Sequence, residues 1–244
     1  MRNRDEIRPV VERVSESSSP HIELLRRASR SGANLGVFAS SFNPPTIAHS
    51  ELMRHAANNF KLDEVVALIA ASNADKVSYE CPIENRIEMM LVAFPDDARV
   101  SIGIGSHAFY VDMVQPIETL YPGGTNLHFI MGFDTFERVL DSEGRYLARY
   151  HHRFAGADAA VEFLLRRSRL IVAGRGDSGR AEVERLLKQQ RADLCDRVYF
   201  ANCPADLAER SATEVRERIR GRQSIEGLVE PAVRRYIEQN GLYS

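Results

Sequence analysis

From residue 34 onward the chain alternates between two hydrophobic rhythms. Short apolar runs at Asn34–Phe38, Glu64–Ala70, Arg99–Ile104, Asn126–Met131, Arg169–Ala173 and Arg197–Ala201 read as strands, mostly buried on both faces. Between them, apolar positions recur every three or four residues, at Thr46–Asn59, Ile83–Phe94, Val111–Tyr121, Phe133–Leu140 and Ala181–Gln190. That is the spacing of helices with one buried stripe. Strand–helix–strand units at this interval predict an α/β fold, a parallel sheet with helices on both faces. Ligands of such folds bind outside the carboxyl ends of the strands. The loops after the first and fourth predicted strands are therefore where a site is expected.

Two segments break the rhythm. Residues 1–33 are charged, with a serine-rich stretch around Ser15–Pro20. The spacing of Ile22, Leu24, Leu25 and Ala28 predicts a helix over His21–Arg30. This part reads as an N-terminal extension to a single domain over 34–244. Residues 141–168 open with a turn signal, Asp141-Ser-Glu-Gly-Arg145. An aromatic, His- and Arg-rich stretch (Tyr146–Phe154) and a helical pattern (Ala157–Leu165) follow. An insertion over the site, such as a lid, is one reading; a plain surface connection is the other.

Composition narrows the class. With 244 residues and 44% hydrophobic content, the chain is long enough to bury a substantial core. A formal net charge of −2 gives no overall attraction to nucleic acid or to an anionic membrane. Lysine occurs only at 61, 76 and 188, so nearly all positive charge is arginine. Cys81, Cys195 and Cys203 show no CxxC spacing, which points to reduced thiols and away from a structural zinc. No apolar run approaches the ~20 residues that span a bilayer. The first residues lack the apolar core of a secretory signal, so a cytoplasmic protein is expected.

Three segments carry candidate chemistry. The first is Gly36-Val-Phe-Ala-Ser-Ser-Phe-Asn-Pro-Pro-Thr-Ile-Ala-His49, a strand, a tight loop and a helix start. Backbone N–H groups of Ala39, Ser40 and Ser41, with the side chains of Thr46 and His49, would grip a phosphate there. The second is Arg210-Ser-Ala-Thr-Glu-Val-Arg216. Ser211 and Glu214 form a capping-box pattern, and Ser211, Thr213 and Arg216 add two hydroxyls and a guanidinium to a helix N-terminus, a ready polyphosphate site. The third is Phe129-Ile-Met-Gly-Phe-Asp134, where Gly132 permits close approach and Asp134 would accept from a ribose or base, or cap the next helix. Weaker candidates are Lys76, Arg86 and Asp112, each equally readable as a surface or ion-pairing residue. His151 and His152 have no companions at metal-ligand spacing.

Together these segments resemble the nucleotidyltransferase superfamily of adenylyl- and cytidylyltransferases. Phe42, Pro44, Thr46 and His49 carry its first motif, Gly-x-Phe-x-Pro-x-(His/Thr)-x-x-His, with Ser40 at the glycine position. Arg210–Arg216 carries its late motif, with Ala212 at a serine position and Arg210 at an apolar one. The nicotinamide/nicotinate mononucleotide adenylyltransferase branch is similar in four places: Ser41–Thr46, Met131–Asp134, Tyr110–Asp112 and Leu228–Tyr243. The chain has no tryptophan, which members of that branch often stack on the pyridine ring.

The resemblance implies a Rossmann-like parallel sheet flanked by helices on both faces, with a C-terminal helical segment. It implies transfer of AMP from ATP, with Mg2+, to a mononucleotide phosphate, and no metal held by protein ligands. His49, Thr46 and Arg216 would act on the reacting phosphates. Ala39, Ser40, Ser41, Phe42, Gly132, Asp134, Ser211 and Thr213 would bind ATP. Asn43, Lys76, Arg86 and Asp112 would face the acceptor. Homo-oligomerisation is left open. Transfer to another phosphate acceptor, or nucleotide binding without turnover, would use the same motifs.

Overall fold

The computed structural model describes residues 4–71, 80–94, 98–141, 144–146, 153–203 and 210–244. Its centre is a seven-stranded sheet in the order β1-β4-β3-β2-β5-β6-β7. The strands are β1 (Ile22–Arg26), β2 (Asn34–Ser40), β3 (Glu64–Ala70), β4 (Val100–Gly105), β5 (Asn126–Gly132), β6 (Ser168–Arg175) and β7 (Val198–Cys203). From β2 to β7 every pairing is parallel. The helices are α1 (Arg4–Ser15), α2 (Ile47–Asn59), α3 (Ile83–Ala93), α4 (Tyr110–Leu120), α5 (Phe133–Leu140), α6 (Ala157–Arg167), α7 (Gly176–Gln190), α8 (Ala212–Arg220) and α9 (Pro231–Asn240).

The period-two alternation of the strands builds two cores. Val65, Ala67 and Ile69 of β3 face α1, α2 and α3. Val66 and Leu68, between them, face the side covered by α4, α5, α6 and α7. The order of strands reverses at β2: β3 and β4 lie to one side, β5 and β6 to the other. The crevice outside the carboxyl ends of β2 and β5 is the switch point at which such sheets bind ligands. A third apolar cluster joins Met89 of α3 to Val215 of α8 and to Val233, Ile237 and Tyr243 of the C-terminal segment. The expected C-terminal helical segment is thus packed on the outside of α3.

One N-terminal expectation is corrected. The helix predicted at His21–Arg30 is strand β1, paired antiparallel with β4. Ile22 and Leu25 are buried, a spacing that a helix and a strand satisfy equally. The exposed backbone of β4 decides the matter by taking β1 as its partner. Gly103 of β4 lies opposite Leu24, and a Cβ there would stand 3.0 Å from the Leu24 side chain and 3.1 Å from the Glu23 carbonyl oxygen. Residues 4–15 form a helix that the reading above leaves out, although Ile7, Val10, Val11 and Val14 bury one helical stripe. The extension is therefore packed on the sheet through α1 and β1. In the segment 141–168, α6 buries Ala160, Val161, Leu164 and Leu165 on its way from β5 to β6, while residues 142–143 and 147–152 lie outside the described residues. Tyr146 is buried against Phe109 with ring centroids 5.5 Å apart.

Candidate active site

The loop Ser41–Pro45 leaves β2 at the switch point and delivers the chain into α2. Its turn is made by Phe42, at φ +43°, and the Asn43–Pro44 peptide is cis. A left-handed bulky residue costs about 1–2 kcal/mol. Complete burial of the Phe42 ring, edge-on to Phe38 at 5.8 Å, is of the size needed to offset it. The freedom that a glycine at position 40 would supply is thus used two residues later, while Ser40 stays in the strand.

His49 lies one turn into α2 and is locked at both nitrogens. Its Nδ1 accepts the Thr46 backbone N–H at 2.9 Å, and the Thr46 hydroxyl lies 2.9 Å from the same nitrogen. A nitrogen that accepts an amide N–H carries no proton, so the proton of the neutral ring sits on Nε2. Nε2 faces Ser40 Oγ at 3.2 Å. The half-buried ring packs between Phe38 (centroids 5.8 Å) and Phe42 (5.1 Å). Loss of hydration pushes its pKa down to about 4. In the free protein His49 is a neutral side chain offering one N–H into the crevice, beside a serine hydroxyl.

The late motif reaches the same loop from 173 residues away. Arg216 of α8 donates through Nη1 to the Asn43 carbonyl at 2.6 Å and to the Ala212 carbonyl at 3.1 Å. Through Nη2 it donates to Thr213 Oγ1 at 3.1 Å. Ser211 caps α8 by accepting the Glu214 N–H at 3.1 Å. The reciprocal half of the capping box is replaced by an ion pair, since the Glu214 carboxylate takes Arg218 Nε at 2.5 Å. Ser211 and Thr213 are exposed at this helix N-terminus.

The remaining candidates divide. Gly132 is the N-cap of α5, and a Cβ there would meet nothing within 4 Å, so the space over the end of β5 is open. Asp134 stands exposed in the first turn of α5. Ala39 and Ser41 line the exit of β2, where Tyr110 of α4 donates its hydroxyl to the Ala39 carbonyl at 3.4 Å. Arg86 is 3% exposed and donates to the Ser41 carbonyl at 2.9 Å, bracing the loop from α3. Asn43 is likewise buried, and its side chain accepts from Tyr243 at 2.8 Å. The Asp112 carboxylate pairs with Arg153. Lys76 lies outside the described residues. The contacts made by Tyr243, by Tyr110 and by the Leu228 carbonyl, which takes the Ile47 N–H at 2.9 Å, have no signal in local sequence. The Tyr110–Asp112 and Leu228–Tyr243 similarity names no partner.

The chain is similar in sequence and in fold to known proteins. The sequence profile described as cytidylyltransferase-like matches residues 37–218, from the middle of β2 to α8. A probable nicotinate-nucleotide adenylyltransferase of Gemmatimonas aurantiaca is 28% identical over 217 residues, spanning 86% of this chain and 92% of that protein. A putative nicotinamide mononucleotide adenylyltransferase of Schizosaccharomyces pombe is 34% identical over 127 residues, 51% of this chain and 49% of that protein. Among solved structures, the nicotinic acid mononucleotide adenylyltransferase of Plasmodium falciparum complexed with NaAD superposes with a TM-score of 0.61. It is 18% identical and covers 87% of this chain and 98% of its own, a likeness of fold.

Proposed function

The chain belongs to the cytidylyltransferase-like family, and we propose that it is an adenylyltransferase moving AMP from ATP to nicotinate or nicotinamide mononucleotide, releasing pyrophosphate. The observation that carries this reading is the convergence at the switch point of a neutral His49 N–H, the hydroxyls of Ser40 and Thr46, and Arg216 arriving from the capped N-terminus of α8. The acceptor class is supported by the names of the relatives above.

The nucleophile is a phosphate oxygen that is already ionised, so no general base is needed. Attack on the α-phosphorus forms one P–O bond, and pyrophosphate leaves with the electrons of the α–β bridge. What the protein supplies is position and charge stabilisation. His49 Nε2–H and the Thr46 hydroxyl meet the α-phosphate, where negative charge spreads in the transition state. With its pKa pushed down to about 4, the free ring keeps one charge state, neutral with the proton on Nε2, across the neutral range. Ser211, Thr213, the α8 N–H groups and the remaining N–H donors of Arg216 meet the β- and γ-phosphates. Gly132 and Asp134 bound the space for adenosine.

Magnesium enters with ATP as part of the substrate and neutralises charge on the polyphosphate. Among the described residues no three His, Cys, Asp or Glu side chains come together as a metal site. The donors facing the loop are hydroxyls, N–H groups and a guanidinium, which suit phosphate oxygens rather than a dehydrated cation. The test is incubation with ATP, Mg2+ and each pyridine mononucleotide, with the product identified by mass. A dinucleotide plus pyrophosphate supports the reading. ATP binding with neither product refutes it.

A further inference from the structure

The end of the chain closes on the loop that precedes His49. Helix α9 stops at Gly241, whose left-handed φ of +57° turns the last residues back toward the sheet. Tyr243 follows, itself left-handed at φ +67° and 9% exposed. A bulky residue held in that region persists only where its surroundings fix it. Here they do. The hydroxyl donates to Asn43 Oδ1 at 2.8 Å, a buried contact across 200 residues. The Cys81 thiol, at the entrance to α3, is buried in the same apolar cluster as Tyr243. Burial raises the pKa of the Tyr243 hydroxyl and of the Cys81 thiol, so both keep their protons at neutral pH.

Asn43 is the point where the loop is held most tightly. Its carbonyl takes Arg216, the neighbouring Ser41 carbonyl takes Arg86, and its side chain takes Tyr243. The backbone contacts fix where the loop lies. The side-chain contact from Tyr243 fixes how the Asn43 residue is turned, and with it the approach to Pro44, Pro45 and Thr46. Thr46 in turn sets the His49 ring through its N–H.

We propose that Tyr243 is a positioning residue: its hydroxyl orients Asn43, and through the loop Ser41–Thr46 it holds His49 and Ser40 in register with Arg216. The inference rests on the adenylyltransferase reading for its effect on turnover, but not for its effect on His49. A misplacement of about 1 Å at reacting groups is enough to cost on the order of 100-fold in rate.

The test is Tyr243→Phe, which removes one oxygen and keeps the ring in the core. The imidazole 15N shifts of His49 in the free, full-length protein are expected to move from a single Nε2–H tautomer toward the tautomer average. The same variant should lower kcat about tenfold or more while KM for ATP changes less than about threefold. Asn43→Ala should lower kcat by a similar factor, and the double variant should be no slower than the slower single one. A purely structural tyrosine would lower the melting temperature and leave the His49 shifts unchanged. Unchanged His49 shifts in Tyr243→Phe overturn the proposal. If the unaltered protein forms no dinucleotide, the adenylyltransferase reading fails, and the His49 shifts still decide this one.

Discussion

His49→Ala tests the chemistry most directly. In the structure its Nδ1 is occupied by the Thr46 N–H, so Nε2–H is the one ring donor available to a phosphate. Removing a single preorganised donor from a developing charge costs on the order of 100- to 1,000-fold in kcat, about 2.7–4 kcal/mol. Ground-state ATP binding draws on the α8 N-terminus as well, so KM for ATP should rise less than about threefold. The fold should survive. The substitution strands the Thr46 N–H and removes ring contacts with Phe38 and Phe42, a loss of about 1–3 kcal/mol. That corresponds to a fall in melting temperature of roughly 2–10 °C. The assay is pyrophosphate release at saturating ATP and acceptor, beside calorimetric ATP binding. His49→Gln, which can place an amide N–H near the same point without an ionisable ring, should recover part of the lost rate. A kcat within threefold of the unaltered enzyme, or a loss confined to KM, would refute the role assigned to Nε2–H.

Three further outcomes follow from the same geometry. The His49 pKa is near 4 in the folded protein against an ordinary value of 6.5, so between those pH values the unfolded chain binds more protons. The contribution of His49 to stability is therefore complete above pH 6.5 and is lost as pH falls toward 4, by about 1–3 kcal/mol for a ring that keeps some solvent contact; urea unfolding at pH 7 and 4.5 should show a shallower pH dependence in His49→Ala than in the unaltered protein. Ser211→Ala removes the α8 cap, so it should cost about 1 kcal/mol, lower the melting temperature by roughly 2–4 °C and raise KM for ATP, with an unchanged melting curve counting against the cap. Arg86→Met leaves the Ser41 carbonyl without its buried donor, at a cost of about 1–3 kcal/mol, and should lower kcat more than it raises KM for the acceptor; a change in acceptor KM alone would instead place Arg86 in the acceptor site.

Residues close in the chain were read well because their physics is local. Val65 to Ile69 alternate between two cores, and their unbroken apolar run already announces a strand covered on both faces. Ser211 and Glu214 announce a helix start by their spacing, and the Ser211 half of the box forms while Glu214 pairs with Arg218. Where two periodicities coincide the sequence is ambiguous, as at Ile22, Leu24 and Leu25. There the open edge of β4 and the room left by Gly103 select the strand. The stripe Ile7, Val10, Val11 and Val14 was legible but overlooked beneath the charges around it.

The roles of buried polar residues lay beyond sequence reading. Arg86 and Asn43 have the chemistry of substrate ligands, and nothing in their neighbours says otherwise. The structure adds what the sequence lacks: the Arg86 guanidinium is enclosed and donates to the Ser41 carbonyl, a buried contact that would be costly to leave unmade. The sequence by itself determined the alternating α/β architecture, the two phosphate-friendly segments and the reaction class they suggest, since each depends on residues within a few turns of one another. Only the tertiary structure decided which of those residues face the crevice and which hold the loop, since Arg216 and Tyr243 meet Asn43 across 173 and 200 residues of chain. Such contacts exist only once the sheet and its helices have brought the two ends of the chain to one place.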